Sequence, residues 1–105
     1  MKYDYLEQDY IDDVIADALH AREAEHFHYA LDLANFEFIV KNTNDPKLIL
    51  DMQERIATIN GHIYVVQKVY EALQKQITDP ARHAAAVKRC EIKRKQQSDI
   101  NGTKK

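Results

Sequence analysis

Between residues 49 and 77, apolar residues recur at spacings of 3 and 4 without a break: Ile49, Met52, Ile56, Ile59, Ile63, Val66, Tyr70, Leu73 and Ile77. A repeat averaging 3.5 residues keeps one seam of a helix against a neighbouring helix and winds the pair left-handedly. A strand cannot use this pattern, because its side chains alternate with period two. With Ile49, Ile56, Ile63, Tyr70 and Ile77 at heptad position a, residues Met52, Ile59, Val66 and Leu73 take position d. Gly61 then falls at f, farthest from the seam, with Glu54, Lys68 and Lys75. Position e carries Gln53, Asn60, Gln67 and Gln74, so charge does not select the neighbour on that flank.

The ends of this helix are marked by Asp45-Pro46 and Thr78-Asp79-Pro80. Aspartate at an N-cap accepts backbone N–H bonds, and proline at the first helical position gives up a donor that has no partner there. Each Asp-Pro step therefore starts a helix. Asp4 and Glu7 have the spacing of a capping box near the start of the chain. The expected helices are about 5–41, 46–77 and 80–97, in a single domain 1–97. A polar basic tail, 98–105, is expected to follow.

The first helix carries a second stripe: Ile11, Val14, Ala18, Ala21, Ala24, Phe27, Leu31, Ala34 and Phe38. Its two consecutive steps of 3, from Ala18 to Ala24, read as a stammer. A short loop at 42–45 makes helices 1 and 2 an antiparallel hairpin. If the chain turns about residue 44, facing residues sum to about 88, which sets residue 26 level with 62. Between Phe27 and Val40, ten of fourteen residues are apolar. They ring the helix, and a helix apolar all round needs cover on several sides. The polar third helix offers little cover. The expected fold is therefore all-α: an antiparallel, coiled-coil-like hairpin plus a shorter basic third helix, packing as an oligomeric bundle. Phe27, Tyr29, Leu33, Phe36, Val40 and Tyr64 are the expected protein interface.

Charge is unevenly spread although the net charge is −2. Residues 1–25 hold eight acids and two bases, and residues 78–105 hold eight bases and three acids. This balance allows two readings. Helix 3 folds back parallel to helix 1 and lays its bases along the acids, or Lys88, Arg89, Lys93, Arg94 and Lys95 bind the phosphates of a nucleic acid. Segment 82–95 contains no aromatic residue for base stacking, which favours the first reading. Tyr3, Tyr5 and Tyr10 among the N-terminal acids could dock on a basic partner, but an acidic helix start is favoured by the macrodipole in any case.

Two overlapping Glu-x-x-His pairs, Glu23/His26 and Glu25/His28, lie in HAREAEHFH. In di-iron bundles such a pair puts two ligands on one helix face. With His62 expected level with His26, Glu23, His26 and His62 are the candidate metal ligands, and a metal-binding, ferritin-like bundle is one alternative function. Helix 2 supplies no carboxylate at that level, so no metal or other cofactor is expected. Nucleophilic chemistry has only Cys90, whose neighbours Lys88, Arg89 and Lys93 could lower its pKa. No histidine stands beside it, and no enzyme activity is expected. One cysteine and the absence of a long apolar run suit the cytoplasm, without a leader or membrane span. The expected function is that of a small non-catalytic protein that self-associates and binds another macromolecule. A structural, adaptor or inhibitor role suits its size, as for a phage accessory protein. The expected partners are a second copy and another protein, with nucleic acid ranked below them.

Overall fold

The computed structural model describes residues 4–103, and the side chains of residues 7–98. Three helices follow one another: α1 (Asp4–Asn42), α2 (Pro46–Gln74) and α3 (Pro80–Thr103). Helix α1 packs against both α2 and α3. No strand occurs among the described residues. The side chains of Asp4, Tyr3 and Tyr5 lie outside the described residues, so the capping box and those two tyrosines do too.

Both Asp-Pro breaks cap helices as local chemistry requires. Asp45 Oδ1 accepts from Lys47 N at 3.0 Å, and the Asp45 carbonyl accepts from Ile49 N at 3.0 Å. Asp79 Oδ1 accepts from Ala81 N at 3.1 Å and Arg82 N at 3.2 Å. These bonds satisfy donors that a helix start would otherwise leave unpaired. Helix α2 stops at Gln74 rather than 77, because its last turn tightens: Gln76 N donates to Leu73 O and Ile77 N to Gln74 O. Residues 98–103, expected as a loose tail, continue α3. No proline interrupts that stretch, and the first poor helix formers after Ser98-Asp99 are Asn101-Gly102.

Two compact units divide the chain, one of residues 21–72 and one of the residues before and after that span. The 21–72 unit is the hairpin of α1 and α2. Its buried apolar residues on α2 are Met52, Ile59 and Val66, the d positions of the heptad. Ile49, Ile56, Ile63 and Tyr70 at a are half-buried. Gly61 is exposed, and a Cβ built on it meets nothing within 4 Å. Gly61→Ala is therefore expected to stabilise the protein by ~0.5–1 kcal/mol, raising its Tm by a few degrees in a thermal melt followed by circular dichroism.

In the hairpin part of α1, the inward seam is the half-buried set Arg22, Glu25, Tyr29, Leu33, Phe36 and Val40. The stripe Ala24, Phe27, Leu31, Ala34 and Phe38, expected to face α2, is exposed instead. The two sets have nearly the same spacing and differ only in which side of the helix they occupy.

The other unit pairs the first part of α1 with α3. Its core is Ala16, Ala86 and Cys90, with Val87 packed against it. Ile11 and Val14, expected in the apolar stripe, are 43% and 47% exposed, whereas Asp12 is 7% exposed. The helices touch through small side chains, so ion pairs at their edges supply much of the matching. Residues 12, 13 and 17 of α1 meet residues 82, 89 and 94 of α3 in the same order, so the two helices run parallel.

Candidate functional site

The basic residues of α3 are largely engaged by the acids of α1. Arg82 Nε donates to Asp12 Oδ2 at 2.6 Å. Arg89 Nε donates to Asp13 Oδ1 at 3.0 Å, and its Nη2 lies 2.8 Å from the same oxygen. Arg94 Nη1 donates to Asp17 Oδ1 at 3.1 Å, and Lys93 Nζ stands 3.7 Å from Asp13 Oδ2. The fold-back arrangement weighed from the sequence is the one the structure adopts. Of the five residues considered for nucleic acid, Arg89 and Arg94 are held in these pairs. Lys93 is 71% exposed at its side chain. Lys88 and Lys95 are exposed.

Asp12 also accepts from Gln8 Nε2 at 2.9 Å. Burial alone would raise its pKa. The Gln8 and Arg82 hydrogen bonds, with the charges of Arg82 and Arg89, outweigh burial and hold the carboxyl below its usual value. A depressed carboxyl contributes stability that is complete above the ordinary value of about 3.9 and is lost as pH falls through the lower folded value. Docking of α3 is therefore expected to weaken below about pH 4. The check is the NMR shift of the Ala86 methyl, which should move toward its random-coil position in that range. An unchanged shift down to about pH 2 would contradict the role of Asp12.

Cys90 is 2% exposed, and its Sγ donates to the Asp13 carbonyl at 3.6 Å. Burial, followed by the Asp17 and Asp13 carboxylates, pushes its thiol up despite the charge of Arg94. Its neighbours in sequence suggested the opposite direction. Residues more than seventy positions away decide the matter, and the thiolate character that reactivity needs is suppressed.

In the hairpin, Tyr29 stacks on His62 with ring centroids 5.2 Å apart and planes 13° from parallel. Tyr70 donates its hydroxyl to Glu23 Oε1 at 3.0 Å. That bond, with burial and the Glu23 charge, raises the Tyr70 pKa. These two contacts fix the register. The residue numbers of these pairs sum to 91 and 93, which is 3 to 5 more than the 88 expected. Helical side chains lean toward their own N-terminus, so each covers a spot about one residue before its Cα. In an antiparallel pair this lean accounts for about two residues of the difference.

The metal candidates are separated by the sides of the helices they occupy. Glu23 and His26 line one edge of the hairpin with Arg22, Val66, Gln67 and Tyr70. His62 lines the opposite edge with Asp32, Asp51, Arg55 and Thr58. Among the described residues, no group of three His, Cys, Asp or Glu side chains could hold a metal ion. Glu25 pairs with Arg22 on its own helix.

The expected interface residues also divide. Tyr29, Leu33, Phe36 and Val40 are half-buried within the hairpin. Phe27 and Tyr64 are 60% and 62% exposed. Leu31 at 48%, Phe38 at 66% and Leu50 at 59% join them as exposed large apolar residues. Leu31, Phe38 and Leu50 were not among the expected interface residues. The signal for Leu31 and Phe38 is the heptad spacing of the Phe27–Phe38 stripe, and Leu50 on α2 lies outside it.

Phe27, Leu31, Ala34 and Phe38 form one outward seam on α1, spaced 4, 3 and 4. Phe27, Leu31 and Phe38 together leave on the order of 300 Å² of apolar surface in water on that seam, the size of the largest patch on many monomers. No helix among the described residues is long and apolar enough to cross a membrane. Comparisons with protein-family models, curated proteins and solved structures find no match to this chain.

Proposed function

We propose that this is a non-catalytic helical interaction protein whose working surface is the outward seam of α1. One observation carries the reading: Phe27, Leu31 and Phe38 repeat at coiled-coil spacing and point away from α2. A heptad seam is a helix-binding surface, and leaving one in water sacrifices the burial that normally stabilises it. The low reactivity expected of Cys90 and the separation of Glu23 and His26 from His62 favour binding over catalysis. The engagement of Arg89 and Arg94 by aspartates favours a protein partner over nucleic acid. A single buried thiol suits the cytoplasm.

The test is photo-crosslinking in cells that produce the chain. Benzoyl-phenylalanine in place of Phe38 should crosslink to a macromolecule. The same group in place of Ile92, which is exposed on α3, should not. Equal yields from both positions, or none from Phe38, would refute the reading.

A further inference from the structure

The outward seam of α1 has its own internal symmetry. Its residues are Ala24, Phe27, Leu31, Ala34 and Phe38, all exposed. We infer that the seam is closed by the same seam of a second copy, running antiparallel. The inference rests on the interaction reading above and names the occupant.

Steric matching favours this occupant and this direction. In an antiparallel pair, layers form between residues whose numbers sum to about 65. Phe27 meets Phe38 of the second copy, and Leu31 meets Ala34. The same pairs recur on the other side of the two-fold axis. Each central layer then combines a large side chain with a small one, which fills space evenly. A parallel pair would stack leucine on leucine and alanine on alanine, crowding one layer and leaving a void in the next.

Charge is compatible with the same arrangement. The seam is bordered by His28, Ala30, Asn35 and Glu37. Antiparallel pairing sets Glu37 across from Ala30 and His28 across from Asn35, so no like charges oppose each other. The seam with Ala30 is smaller than the ~800 Å² per partner of a standard interface, which sets a pair of modest affinity. Two hairpins joined this way make a four-helix assembly, in which the apolar circumference of residues 27–40 is covered on two sides.

Sedimentation equilibrium of the full chain is the first test. Wild type should have twice the 12.2 kDa chain mass. Phe38→Asp should be monomeric with its helical circular dichroism retained, its self-affinity reduced at least ~100-fold. Wild type that stays monomeric to ~1 mM would overturn the proposal. If Phe38→Asp loses its helices, the melting temperature of wild type decides instead. It should rise with protein concentration, and a concentration-independent value would overturn the proposal.

Orientation is read by oxidation in a Cys90→Ala background. Mixed Leu31→Cys and Ala34→Cys chains should form the heterodisulfide faster than either homodisulfide, because only facing Cα atoms within ~7 Å can be bridged. Faster homodisulfides would overturn the antiparallel arrangement. A monomeric wild type that still crosslinks from position 38 to another macromolecule would refute the second copy alone. The interaction surface itself would then stand.

Discussion

An Ile59→Asp protein is expected to lose its helical circular dichroism at 25 °C, whereas Phe38→Asp keeps it. Ile59 is 8% exposed and central among the three buried d residues of α2. Removing its side chain from the core costs ~2–3 kcal/mol of burial. A carboxylate in its place lies between Met52 and Val66, two turns away on either side, and the nearby Arg55 is already paired with Asp51. Leaving an unpaired charge there costs several kcal/mol more. A domain of this size has only about 5–15 kcal/mol in all. Phe38 is 66% exposed, so the same substitution there removes little internal packing. Retained helicity in Ile59→Asp would mean that the hairpin core lies elsewhere.

Ala86→Leu is expected to detach α3 from α1 while leaving the hairpin helical. Ala86 is 0% exposed and sits between Ala16 and Cys90. Three added carbons have no space, and overpacking of this kind costs ~1–3 kcal/mol or more. Exposed ion pairs are worth ~0–1 kcal/mol each, so neutralising Arg94 should do less than the leucine. Limited trypsin digestion reports the difference, since α3 carries Arg82, Lys88, Arg89, Lys93, Arg94 and Lys95. Ala86→Leu should be cut there much faster than wild type, and Arg94→Gln only slightly faster. The reverse order would show that charge, rather than close packing, holds the helix.

The starts of α2 and α3 and the α2 seam were legible because their causes are local. Asp45 and Asp79 cap the residues that follow them, and the heptad on α2 contains one apolar stripe broad enough to read. The face of α1 was not legible in the same way. Residues 24–40 carry two interleaved repeats, one through Tyr29, Leu33, Phe36 and Val40, the other through Ala24, Phe27, Leu31, Ala34 and Phe38. Periodicity measures spacing, and both repeats have the spacing of a helix seam. Only the contact with α2 separates inside from outside. The level of His26 was misplaced for a related reason: counting from a loop tracks Cα atoms, while contacts are made by side chains that lean along the helix. The charge asymmetry foretold that α3 returns to α1. It could not show that Asp12 would be buried or that distant aspartates would suppress the Cys90 thiol.

The closeness of Asp12 and Arg82 gives the alignment of α1 and α3 a second check beside close packing. A one-turn slip of α3 would already carry Arg94 to the place of Cys90, or Arg82 to the place of Ala86. A slip in one direction puts Ala86 where Arg82 was, and a slip in the other puts Thr78 there. Either way Asp12 keeps its buried place and loses its cation, which is the costly outcome for a carboxylate removed from water. The pair therefore serves as a stop that admits one meeting of turns and penalises its neighbours, whatever it adds to the strength of the contact.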